Sequence, residues 1–157
     1  MDLNLKEKKV LIIGSTKGLG YEVSKKFFNE NAKLILVGRT DELLKIQLSE
    51  FGGKKNGHLI FKCDLLNKNS PINLCNKILK NAGIPDIIVH ITGGGLGIEN
   101  NERFERWIDV LRFNVGYSID MNNFFIPKAL KLKKKMNIVH ISYFSSLNSD
   151  KFFVGHV

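Results

Sequence analysis

Gly14, Gly18 and Gly20 follow directly on the apolar run Val10–Ile13 in the stretch "KVLIIGSTKGLG". Residues without side chains, spaced G-x-x-x-G-x-G, suit one kind of chemistry: they let a backbone approach an anion closely. A sharp strand-to-helix turn also demands backbone angles that a β-carbon disfavours. The helix that follows offers free N–H groups and the positive end of its dipole. The spacing is not G-x-G-x-x-G, because Thr16 stands where the second glycine would be, and it is not a phosphate loop of the G-x-x-x-x-G-K-[ST] kind. Cations stand nearby: Lys17 inside the turn, and Arg39 at the end of the next apolar run, "AKLILVGR". A guanidinium matches a phosphate in charge and in bidentate geometry; the alternative for both is a solvated surface cation.

The elements that must position these residues alternate. "KKVLIIG", "AKLILVGR", "HLIFKCD", "DIIVHI" and "NIVHIS" read as short strands buried on both faces. Between them lie helical patterns. Leu19, Val23 and Phe27 form the first stripe, and Leu44, Leu48 and Phe51 the second. Ser70 caps a third helix, with Pro71 at its first position and Ile72, Cys75, Leu79 and Ala82 as its stripe. A long helix starts near Glu102, with Trp107, Leu111 and Val115 on one face, and Pro127 is expected to kink or restart it. Strand–helix alternation implies a doubly wound α/β sheet with parallel strands and helices on both faces. No repeat, low-complexity tract or linker divides residues 1–157, which read as one domain.

Composition narrows the class. With 43% hydrophobic residues and no apolar run of membrane-spanning length, the chain reads as globular, and no membrane partner is expected. The N-terminus has no secretory apolar region. Cys63 and Cys75 have neither metal-ligand nor redox spacing, so reduced thiols and a cytoplasmic location are expected. The net charge is +9, much of it in "KALKLKKKMN", Lys128 to Asn137, which reads as a solvated helix end. Nucleic acid is not expected as a partner, since no reading helix or aromatic–basic interleaving accompanies the charge. His90 and His140 lie near neighbouring strand ends, but spacing suggests no third ligand, so no metal site is assigned.

The glycine spacing after the first strand resembles the dinucleotide-binding turn of the short-chain dehydrogenase/reductase family. Further matches follow in order: "CDL" at residues 63–65, "HITGGG" at 90–95, "WIDVLRFNVGYS" with Trp107 seven residues before Asn114, and "NIVHISYFSS". The resemblance implies a Rossmann-like sheet of strand order 3-2-1-4-5 and a nicotinamide cofactor. Gly14, Ser15, Thr16, Lys17, Gly18, Leu19 and Gly20 would surround its phosphates. Arg39, where an NAD site usually has an acidic residue, favours NADP(H) over NAD(H). By the resemblance Asp64 and Leu65 flank adenine, although Asp64 could instead cap the turn after its strand. Thr92, Gly93 and Gly94 would lie beside the cofactor, where the family has Asn-Asn-Ala-Gly; His90, Ile91 and Thr92 depart from that pattern. Asn114 matches the asparagine at a bend in the long helix, which in the family holds a relay water.

The catalytic part matches less well. The family ends its fifth strand with two small residues, of which the second is the catalytic serine. Here Ser142 is the first and Tyr143 occupies the second place, with Ser145 a further candidate. In the family a Tyr-x-x-x-Lys motif then supplies the proton and lowers its own tyrosine's pKa. None follows Ser142; His156 falls about where the tyrosine might, and the chain is expected to stop just short of the motif. The complete form would transfer hydride between NADP(H) and a small-molecule carbonyl or alcohol. The alternative is a shortened, inactive member that binds nucleotide or a partner. An uncovered last strand and long helix imply a homo-oligomer.

Overall fold

The structure is a computed structural model that describes residues 3–98 and 102–142. Its elements run β1 (Lys9–Ile13), α1 (Gly18–Asn29), β2 (Lys33–Gly38), α2 (Asp41–Glu50), β3 (Leu59–Lys62), α3 (Ser70–Ala82), β4 (Ile87–His90), α4 (Phe104–Leu111), α5 (Tyr117–Lys131) and β5 (Asn137–His140). A π-helical segment, Arg112–Gly116, joins α4 to α5. The strands pair in parallel in the order β3-β2-β1-β4-β5, as the resemblance implied.

Alternation along the strands sends apolar side chains to both faces. Leu11, Ile13, Ile35 and Val37 meet Leu74, Cys75 and Ile78 of α3 and Tyr117, Met121 and Phe125 of α5. Val10, Ile12, Leu34 and Leu36 point the other way, under Leu44 and Phe51, with Val23, Phe27 and Phe28 of α1 packed against them. Covering both faces is why these strands read as unbroken apolar runs. β5 is less protected: Val139 and the following Ile141 are each 42% exposed.

At the N-terminal ends of β1 and β4, Asp86 accepts the Lys9 backbone N–H at 2.8 Å and pairs with Lys134 at 3.0 Å. Burial alone would raise the Asp86 pKa; the Lys9 N–H and the Lys134 ammonium outweigh it and hold it below the usual range. Lys134 also reaches the Ile84 carbonyl, which ties the approaches to β1, β4 and β5 together.

Some helix faces differ from the periodicity reading. Leu19 is 55% exposed, because α1 meets the core through Gly20 and Ser24, and Val23 and Phe27 are only partly buried. In α3 the inward residues are Pro71, Leu74, Cys75 and Ile78, while Ile72 is 39% exposed; Asn69, not Ser70, precedes the helix, and no side chain caps it. The long helix begins at Phe104, and its core face is Val110, Phe113, Tyr117, Met121, Phe125 and Ala129. Leu111 and Val115 lie outside, at 46% and 41% exposure. This helix is apolar on two sides, so a four-residue period fits either. Pro127 sits inside an unbroken α5; the irregularity lies instead at Arg112–Gly116. The lysine run leaves α5 at its C-terminal end, and Lys128 folds back over the Phe124 ring, 3.7 Å from its centroid. Among the described residues no helix is long and apolar enough to cross a membrane.

Candidate functional site

A cleft of about 810 Å³ opens at the C-terminal ends of the strands, where the order reverses between β1 and β4. That reversal is the usual ligand position of an open α/β sheet. The β1–α1 turn forms its floor. Gly14 has φ +92°, and its N–H and that of Ser15 both donate to the Val37 carbonyl at 3.0 Å. Gly20 is required by contact: a β-carbon there would lie 1.9 Å from the Gly14 carbonyl oxygen. Gly18, at φ +50°, faces open space. No side chain caps the start of α1 and no acidic residue lies in its first turn, so its N-terminus keeps its positive end uncompensated.

Gly14, Thr16, Lys17, Leu19 and Gly20 line the cleft. Ser15 and Gly18 are not among the lining residues; Ser15 is fully buried and turns inward, its hydroxyl 3.1 Å from Gln47 Oε1. Gln47 Nε2 donates back to the Ser15 carbonyl at 2.9 Å. This buried amide bolts the turn to α2. Sequence reasoning missed it, though the signal was present: one amide on the α2 face that carries Leu44, Leu48 and Phe51 inward.

Further along the cleft lie Arg39 and Thr40 after β2, and Cys63 and Leu65 after β3. Asp64 is not among the lining residues; its Oδ1 accepts the Leu66 N–H at 3.1 Å, the turn-capping role. Burial pushes the Cys63 thiol up to about 11 and that of Cys75 up to about 12, so both stay protonated and inert at neutral pH. No carboxylate is found among the described lining residues.

The β4 wall comprises Ile91, Thr92, Gly93 and Gly94. Asn114 grips it. Its Oδ1 accepts the Gly94 N–H at 2.9 Å, and its Nδ2 donates to the Gly94 carbonyl at 2.9 Å and to the Val110 carbonyl at 2.8 Å. A β-carbon on Gly93 would stand 2.9 Å from Asn114 Oδ1, so this approach needs glycine. The side chain that the resemblance placed at a helix bend thus sits in the π segment, a frequent site of functional irregularity.

Beyond it, His90 Nε2 lies 3.1 Å from Asn122 Oδ1, and Asn122 Nδ2 lies 3.3 Å from His140 Nε2. The imidazoles stack with centroids 4.4 Å apart. Burial, reinforced by His140, lowers the His90 pKa to about 4 despite the bond to Asn122. Among the described residues its buried Nδ1 has no hydrogen-bond partner. Burial raises the Tyr117 pKa, and the nearby Thr92 only partly opposes it; among the described residues neither the Tyr117 hydroxyl nor Thr92 Oγ1 has a well-formed hydrogen bond. His140, Ile141 and Ser142 complete the cleft. Tyr143, Ser145 and His156 lie outside the described residues.

Residues 8–154 match the family model of short chain dehydrogenases. The chain is 27% identical over 160 residues to a fatty acyl-CoA reductase of Acinetobacter baylyi, covering 98% of this chain and 53% of that protein. It spans about half the length of several curated relatives it matches. Its fold is similar to that of L-sorbose reductase from Gluconobacter frateurii complexed with NADPH and L-sorbose, with TM-score 0.84, 19% identity, and coverage of 98% of this chain and 58% of that one. It is also similar to NADH-dependent reductase A1-R' complexed with NAD, with TM-score 0.81, 22% identity, and coverage of 99% and 66%. With the family model matching nearly the whole sequence, and the strand order and glycine turn agreeing with it, this chain belongs to the short-chain dehydrogenase family.

Proposed function

We propose that the cleft binds NADP(H) in preference to NAD(H), and that residues 1–157 form the dinucleotide-binding domain of an oxidoreductase acting on a small carbonyl or alcohol. The observation that carries this reading is the charge pattern: Lys17 and Arg39 face a cleft with no carboxylate among its described lining residues. Solved proteins of similar fold, one holding NADPH and another NAD, support a nicotinamide cofactor without choosing between them.

The residues present fit such a group. The backbone N–H groups at the uncapped start of α1 suit the pyrophosphate. Lys17 and Arg39 would hold the 2′-phosphate. Leu65 would pack against adenine, with Asp64 capping the turn behind it through the Leu66 N–H. Thr92 lines the wall, and Asn114 fixes Gly93–Gly94 as the part beside the nicotinamide. When bound, the nicotinamide supplies or takes the hydride. Ser142, at the cleft, would hold a hydroxyl near the substrate oxygen. Calorimetric titration is expected to show NADPH binding about ten-fold or more tighter than NADH, with Arg39→Ala erasing the difference. Equal affinity, or a preference for NADH, would overturn the reading.

The second reading, nucleotide binding without turnover, is favoured by Tyr143, which stands where the family has its serine. These 157 residues are expected to bind NADPH yet not consume it with carbonyl substrates; measurable reduction would exclude this reading. Self-association is proposed through the α4–α5 surface, where Phe104, Leu111, Val115, Ile119, Ile126 and Leu130 are exposed. A cytoplasmic location is proposed with it.

A further inference from the structure

The guanidinium carbon of Arg39 lies 5.6 Å from the centroid of the Phe113 ring, across the cleft from β2. Phe113 belongs to the π segment and is only 7% exposed, so its ring is fixed by the core around it. Among the described residues Arg39 makes no ion pair and no side-chain hydrogen bond. We propose that Phe113 is the positioning residue for Arg39, holding its guanidinium ready for a 2′-phosphate and thereby setting the coenzyme preference. The proposal deepens the NADP(H) reading and rests on it.

A guanidinium has two separate recognition surfaces, a face and an edge. A ring attracts the cation at the face through its quadrupole. The N–H donors lie in the plane and point outward, and a ring offers them no acceptor oxygen, so the contact consumes none of them. Arg39 held on Phe113 therefore keeps its full donor set for an anion. A long side chain free in solvent loses rotamer freedom when it binds, and one already resting on a rigid ring loses less. A carboxylate partner would have held Arg39 equally well but would have competed with the phosphate.

The π segment links this to the other side of the cleft. Phe113, Asn114 and Val115 are consecutive, and all three line it. Asn114 anchors the segment to Gly94, so the ring under Arg39 is placed by the same bonds that hold the β4 wall. From sequence, position 113 reads as one more apolar residue of a helix.

The test measures, on the full chain, affinity for adenosine 2′,5′-bisphosphate and for adenosine 5′-monophosphate, and takes the ratio. Phe113→Leu is expected to lower the ratio about two- to five-fold, the worth of an exposed cation–π contact, with monophosphate binding unchanged. Phe113→Tyr, which keeps the ring, is expected to retain the parental ratio. Phe113→Met refills the space with an unbranched side chain and reads the same quantity should the leucine variant fold poorly. A ratio unchanged in the leucine and methionine variants while Arg39→Ala collapses it would overturn the role of Phe113 and leave the NADP(H) reading standing. Equal loss of both ligands would reduce Phe113 to a packing residue. A ratio untouched even by Arg39→Ala would remove the NADP(H) reading and this proposal with it.

Discussion

The two sides of the cleft are built differently. On the α1 side the site is backbone: Gly14 at positive φ, Gly20 against a carbonyl, and a helix start without a cap. On the β4–β5 side it is side chains: Asn114 on Gly94, and Asn122 between His90 and His140. A backbone site tolerates few residue types, because only glycine removes the β-carbon. A side-chain site can be met by several sets of donors and acceptors. Here imidazoles and a threonine occupy places where the family resemblance led one to expect asparagines and alanine.

That contrast can be broken most sharply at Gly20. Gly20→Val would drive side-chain carbon into the Gly14 carbonyl, so destabilisation of about 3 kcal/mol or more is expected from chemical denaturation, with loss of coenzyme uptake. Ordinary stability in this variant would mean that the turn is not held by that approach.

Acid should separate the sides next. The folded His90 pKa, about 4, lies below that of an unfolded imidazole, near 6.5. Between those values the unfolded chain takes a proton that the folded one refuses. The His90 contribution is therefore complete above about pH 6.5, falls by about 3 kcal/mol as the pH drops toward 4, and levels below that. His58, also lowered by burial, adds to the loss with the same sign. Unfolding curves at successive pH values should show this slope, and His90→Asn should remove most of it. An unaltered slope in that variant would place the acid sensitivity elsewhere.

Asn114→Ala is the smallest of these effects. It strands the Gly94 N–H and carbonyl at a partly buried position, for a cost of about 1–3 kcal/mol. Hydrogen exchange at the Gly94 amide should accelerate while the Gly14 and Ser15 amides, bonded to Val37, keep their protection. Equal acceleration on both sides would mean that the two halves are one cooperative unit.

The architecture was legible because strands covered on both faces leave unbroken apolar runs, and glycine spacing marks the turn. The faces of the long helix were not legible. Trp107, Leu111 and Val115 repeat as regularly as Phe113, Tyr117 and Met121, and only packing against the sheet decides between them. Asn122 escaped notice because a lone amide in a helix carries no spacing signal, whereas Gln47 shares the inward face of Leu44 and Leu48 and only its partner Ser15 was hidden until the fold brought it opposite. Leu19 misled for the converse reason, since an apolar residue at the start of α1 stands at the cleft mouth rather than over the core.

A cleft rimmed by Lys17 and Arg39, with no described carboxylate to offset them, in a chain of net charge +9, also acts at a distance. Its field gathers multiply charged anions before any contact forms, so encounter is faster than free diffusion of neutral partners would allow. Added salt shrinks that capture radius while leaving the short-range grip on a docked molecule nearly intact. Ionic strength therefore governs arrival far more than departure.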